Sequence, residues 1–207
     1  MFAHLFHREL IALILAPLGE DYQLQFLRPL DPLFFILKVD LFAALMATLP
    51  FFLVLVLRYA SPALPRSVRW WTPVLLLGML GLAFVAALYA YHLVIPTVLT
   101  FLSGLTLPGF TNDLTAQAYL NFFLSMLFMH VIVFQTPVAV LGVSALRIWS
   151  PAQIASARRY VYLGLFVGIA IITPTTDVAT FLALAVPASL MFEGGLLVAR
   201  LVIHGSE

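Results

Sequence analysis

Between Leu33 and Leu57 the chain is apolar but for Lys38 and Asp40 near its start, and Arg58 stops the run. At about 1.5 Å of rise per residue this is about 37 Å of helix, more than a hydrocarbon core of roughly 30 Å requires. In a bilayer, main-chain N–H and C=O groups have no water to bond, which leaves only helices or closed barrels as spanning elements. A barrel would alternate apolar and polar residues in segments of about ten. The runs here are unbroken instead. Composition agrees, since 63% of the 207 residues are hydrophobic, 9% are charged and the mean hydropathy is +1.10, far too little polar surface to coat a soluble globule. The expected class is an all-α, polytopic helical membrane protein.

Five spans are expected in one membrane domain over 1–207, at about 33–57, 71–95, 114–146, 159–172 and 178–199. Pro96 is expected to close the second, with a short apolar continuation to Leu102. The third is longer than a bilayer needs, so it should tilt, extend beyond the membrane or bend at Pro137. The last two read as short, separated by the turn at Pro174 to Asp177, and the final one is interrupted by Pro187 and meets the carboxylate of Glu193. Such an acid is costly in lipid. Pro50, Pro96, Pro137, Pro174 and Pro187 recur in nearly every span, which suits a curved, concave bundle.

Arginines set the expected orientation. The loop after the first span carries Arg58, Arg66 and Arg69, the 147–159 loop carries Arg147, Arg158 and Arg159, and Arg200 closes the last helix. The 103–113 and 174–177 loops have none, so the arginine-bearing ends and the C-terminus read as cytoplasmic. Residues 1–32 then lie outside. Within them Phe2, Leu5, Phe6, Leu10, Leu13 and Ile14 recur at helical spacing, the pattern of an interfacial amphipathic helix.

The polar residues at membrane depth have two readings each. Gln135 is a cavity contact or a helix-to-helix hydrogen bond. Glu193 is a gate facing the bundle interior or an interfacial acid paired with Arg200. Arg158 and Arg159 anchor topology or touch a partner, Lys38 and Asp40 snorkel or pair locally, and His92 and His130 read as satisfied core histidines. Trp70 and Trp71 beside Arg69 form an interfacial aromatic anchor. Nothing points to an enzyme: HExxH, GxSxG and Walker-type motifs are missing, and zero cysteines removes thiol catalysis and Cys-based metal sites. No cofactor, metal or nucleic-acid partner is implied, because no Lys/Arg run exceeds two residues and the histidines lack ligand spacing.

A series of short motifs then runs in order along the chain: LAPL at 15–18, Pro50, SPAL at 61–64, YHLVIP ending at Pro96, AYLNFF at 118–123, FQTPVAV at 134–140, SARRY at 156–160, ITP with Asp177, and AVPASLMFE ending at Glu193. Together they resemble the TatC family, the polytopic subunit of the twin-arginine protein translocase. The resemblance implies six helices, recognition of twin-arginine signal peptides on folded precursors, export across a prokaryotic cytoplasmic membrane on the protonmotive force, and single-span partners of the TatA and TatB type, with a homo-oligomer possible in principle. It also implies a cytoplasmic tail and a first helix ahead of LAPL, where only about 14 residues precede it here. An upstream in-frame stretch encoding about 20 apolar residues behind a positive tail is therefore expected.

Two positions depart from the family pattern. Family acids in the tail and first cytoplasmic loop are implicated in holding the paired arginines, and the aligned loop position here is Val68. Many members carry an intramembrane carboxylate where this chain has Gln135, whose amide keeps donors and an acceptor without a charge. Gln135 thus reads as a polar contact for a partner helix or signal peptide. From the residues alone, a small-solute transporter or channel is the alternative, though no internal repeat is visible.

Overall fold

The computed structural model describes residues 2–19, 22–63, 69, 72–104, 113–172 and 178–204. Among them α1 is Phe2–Leu15, followed by a 3-10 turn at Ala16–Leu18, strand β1 at Gln23–Gln25 and α2 at Asp31–Ala60. Helix α3 runs Thr72–Ser103, then come β2 at Asp113–Thr115, α4 at Ala116–Val133, α5 at Thr136–Ala145, α6 at Pro151–Ser156, α7 at Arg158–Ile172 and α8 at Val178–His204. The two strands pair in parallel, Gln23 opposite Asp113 and Gln25 opposite Thr115, which ties the approaches to α2 and α4 together at one end of the bundle.

Four helical stretches are long and apolar enough to cross a membrane: Asp31–Tyr59, Thr72–Ser103, Ala116–Ala145 and Thr180–Val202. Helix α7 has 15 residues, about 22 Å of rise, and falls short of a hydrocarbon core of roughly 30 Å. The core sits where α3, α4 and α8 meet: Ala86, Ala90, Ile95, Val98, Leu120, Met126, Leu184 and Ala188 are all fully buried. Outward faces carry large apolar side chains instead, Leu41 and Phe51 at 72% exposure and Leu77 at 69%, an arrangement stable only against lipid.

The prolines show how the helices keep their main chains bonded. A proline has no N–H to give the carbonyl four residues back, and its ring crowds that carbonyl. At Pro137 the orphan is Val133 O, which accepts from Thr136 Oγ1 at 2.6 Å, and the helix breaks between α4 and α5. At Pro187 the orphan is Ala183 O, approached by the Tyr89 hydroxyl at 3.4 Å. At Pro96 the backbone widens into a π turn over Ala90–Val94, with Ile95 N–H donating to Ala90 O. A π turn lets the register skip a residue at the point where proline cannot donate.

Two expectations change as a result. Pro96 does not close the second span: α3 passes through it to Ser103. The final helix is not short and does not yield at Pro187 or Glu193, but continues for 27 residues to His204. The paired state of Glu193, described below, removes the cost that made a stop there plausible.

The N-terminal segment is docked on the bundle. Ile14 and Leu18 are buried in the main core together with Phe35 and Val39 of α2. The last four carbonyls of any helix lack intrahelical partners, and here two are met from neighbours: Tyr91 Oη donates to Leu13 O at 3.0 Å and Tyr119 Oη to Ile14 O at 2.6 Å. Helix α5 ends in a six-to-one bond, Ile148 N–H to Val143 O at 3.1 Å, with Arg147 in the left-handed region at φ 58°. Helix α6 then starts with a capping box, Ser150 and Gln153 bonding each other's main-chain N–H groups.

Candidate functional site

The arginine-bearing end of the bundle is organised by a close crossing of α5 and α8. A Cβ built on Gly195 would lie 2.5 Å from Pro137 Cα, so only glycine fits there. Gln135 and Glu193 each precede this contact by one short step on their own helices. They bond in different directions. Gln135 Nε2 donates to Met79 O of α3 at 3.1 Å, while its Oε1 is buried with no hydrogen-bond partner. Glu193 faces α7, where its Oε2 lies 2.7 Å from Arg158 Nη2 and its Oε1 accepts from the Tyr162 hydroxyl at 2.7 Å.

The pairing expected for Glu193 is with Arg200, but its partner is Arg158. The reason is geometric. Arg200 lies nearly two turns further along the same helix, whereas Arg158 starts the antiparallel neighbour at the depth of the carboxylate. Tyr162 was not singled out from the sequence, yet a signal was present: it sits one turn after Arg158 and shares its helix face. Both ion-pair side chains are about two-fifths exposed, 44% for Arg158 and 39% for Glu193, so water screens them and the pair adds little to stability. Arg158 Nε is buried without a partner, and the guanidinium is thus only partly used.

Arg159 points elsewhere, its guanidinium 4.7 Å from the Tyr160 ring centroid and its Nη2 3.0 Å from that hydroxyl. Arg69 is exposed, and its carbonyl accepts from Thr72 Oγ1 at 2.6 Å at the start of α3. Arg66, Val68, Trp70, Trp71, Pro174 and Asp177 lie outside the described residues. Lys38 reaches across to α4, donating to Asn121 Oδ1 at 2.9 Å and Gln117 Oε1 at 3.2 Å. His130 is fully buried, with Nδ1 2.7 Å from Met126 O. No cluster of metal-binding side chains occurs among the described residues.

The Gln135 bond carries a prediction about stability. Gln135→Ala removes the donor to Met79 O at a half-buried position and should destabilise the fold by about 1 kcal/mol, the usual size of a hydrogen bond between membrane helices. Thermal unfolding in detergent would measure it, and an unchanged midpoint would show that the bond contributes nothing.

Four full-length spans, one short helix and carbonyls freed by proline yet bonded within the bundle define a multi-pass α-helical membrane protein. The TatC profile, described as Sec-independent protein translocase protein, matches residues 1–187. A Sec-independent protein translocase protein TatC of Aquifex aeolicus is 32% identical over 96% of this chain and 84% of its own length. One from Akkermansia muciniphila is 32% identical over 76% of this chain, which spans 45% of that longer relative. A crystal structure of the twin-arginine translocase receptor TatC in DDM superimposes with a TM-score of 0.83 at 30% identity, covering 96% of this chain and 89% of the other. The chain belongs to the TatC family, components of the Sec-independent protein translocase. That membership favours protein transport over the solute-transporter alternative and implies company with other subunits of the same system.

Proposed function

We propose that this chain receives twin-arginine signal peptides at its arginine-bearing end and helps carry folded precursors across a prokaryotic cytoplasmic membrane on the protonmotive force. In this reading that end and the C-terminus face the cytoplasm, and single-span subunits of the TatA and TatB type complete the machine. The observation that carries it is the continuous likeness, 98% of the chain, to a solved twin-arginine translocase receptor with a TM-score of 0.79 at 31% identity. Helix α7 adds a physical argument. At about 22 Å it obliges the bilayer beside it to thin, which shortens the barrier a precursor crosses.

Glu193 is the residue proposed to meet the paired arginines. Among the described residues it is the one carboxylate within the arginine-bearing half of α5, α7 and α8, and a carboxylate accepts bidentate, charge-assisted bonds from guanidinium. It already holds one guanidinium in a screened, exchangeable pair. Gln135, Arg66, Arg69, Arg158 and Arg159 are proposed as neighbouring contacts.

Photocrosslinking of a twin-arginine precursor, with the reactive group beside its paired arginines, tests this. Adducts to the chain should form, vanish when the arginines become lysines, and fall about five-fold or more in Glu193→Gln, which keeps the Tyr162 hydrogen bond but loses the charge. Equal adducts from the twin-lysine precursor would defeat the proposal.

A further inference from the structure

At the opposite end of the bundle, beside the β1–β2 ladder, α2 and α4 form a second polar feature that the translocase reading does not use. Lys38 Nζ has two amide oxygens as partners, Asn121 Oδ1 at 2.9 Å and Gln117 Oε1 at 3.2 Å, and no carboxylate among the described residues. Asp31, two turns earlier on the same helix, spends its Oδ2 accepting from Leu27 N–H at 3.1 Å and Arg28 N–H at 2.9 Å. Gln117 is fixed in turn, its Nε2 donating to Asp31 O at 3.0 Å. A full positive charge is thus held in place by neutral oxygens, while exposed Asn121 keeps its own amide hydrogens without a partner among the described residues.

Directly below, toward the middle of the span, lies an open groove of about 250 Å³ lined by Phe42, Leu45, Leu124, Ser125 and Phe128. Phe42 and Leu45 follow Lys38 by one and two turns on α2, and Leu124, Ser125 and Phe128 follow Asn121 likewise on α4. Side chains so spaced share one helix face, so the cation and the groove form a single continuous surface. Its head is positive and rich in donors, and its body is apolar and opens outward at membrane depth. A soluble anion would match the head only.

We propose that this surface holds an anionic glycerophospholipid, with its phosphate on Lys38 and Asn121 and one acyl chain along the groove between α2 and α4. The chemistry is that of a basic residue at a membrane surface meeting an anionic headgroup, combined with apolar burial of the chain. The proposal stands apart from signal-peptide binding at the other end, so each can fail without the other.

Native mass spectrometry of the purified full chain, offered phosphatidylglycerol and phosphatidylcholine in equal amounts, tests it. Phosphatidylglycerol should be retained preferentially. Lys38→Gln should lower its retention roughly five-fold, the share of one basic residue, and lower that of phosphatidylcholine, whose choline offsets the phosphate charge, by less, while Lys38→Arg keeps the preference. Leu45→Trp, which fills the groove and spares the cation, should lower retention of both lipids and decides the matter if Lys38→Gln does not fold. Equal binding by wild type and both variants would overturn the site, as would displacement of the lipid by inorganic phosphate alone. A photoreactive residue replacing Phe42 in native membranes should give an adduct of lipid mass. An adduct of polypeptide mass would show that a partner helix, not a lipid, occupies the groove.

Discussion

Gly195→Val should destabilise the bundle by about 3 kcal/mol, whereas Gly194→Ala, one residue away, should be neutral or stabilising by up to about 1 kcal/mol. The two glycines have the same helical backbone and differ in surroundings. A Cβ on Gly194 meets nothing within 4 Å, but one on Gly195 lies 2.5 Å from Pro137 Cα and 3.2 Å from Pro137 O. Those are main-chain atoms and cannot swing aside, so α5 and α8 would have to separate. Helix propensity alone favours alanine over glycine by about 1 kcal/mol at both sites, too little to offset overpacking at the crossing. Separation would also disturb the cluster of Val140, Leu141, Phe192, Leu196 and Ala199 packed around that crossing. Unfolding midpoints in detergent for the two variants provide the measurement. Equal midpoints would mean that the crossing is loose and that small residues there are incidental.

How much of this was legible in the chain depended on what kind of physics each residue expresses. The spans and their order follow from apolar length, which the bilayer imposes on every segment separately, and so they can be read locally. The bonding state of a proline or an acid cannot. Pro96 looks like a helix end because the π turn over Ala90–Val94 that absorbs it has no distinctive sequence of its own. Glu193 looks expensive until Arg158 and Tyr162, on a helix more than thirty residues earlier, are brought to it. For Gln135 the sequence left a cavity contact and a helix-to-helix bond open, and the geometry supplies the second through Met79 O. Thr136 was the exception that could have been read directly, since a hydroxyl beside Pro137 is well placed to satisfy the carbonyl that proline frees. The Lys38 cluster escaped because its partners Gln117 and Asn121 lie some eighty residues away and are ordinary polar residues of an otherwise apolar helix.

The double variant Tyr91→Phe/Tyr119→Phe should release the N-terminal segment from the bundle while leaving the rest folded. Leu13 O and Ile14 O belong to the last turn of α1, where no further helical N–H is available to them, so the two hydroxyls are their partners from outside the helix. The two bonds are unequal. Tyr119 is 1% exposed and its 2.6 Å bond is buried, so the phenylalanine leaves a carbonyl without water or donor at a cost of about 1–3 kcal/mol. The Tyr91 bond is at an exposed position, water can replace it, and its loss alone should cost about 0.5 kcal/mol. What remains to hold the segment is burial of Ile14 and Leu18 against Phe35 and Val39, together with the short β1–β2 ladder. Hydrogen exchange in detergent should therefore accelerate roughly ten-fold or more over residues 8–19 in the double variant and in Tyr119→Phe, and much less in Tyr91→Phe. Protection in α8 should not change, because neither bond involves a residue of that helix. Uniform acceleration across all helices would show that the tyrosines support the whole bundle, and unchanged exchange near residue 14 would show that apolar packing alone docks the segment.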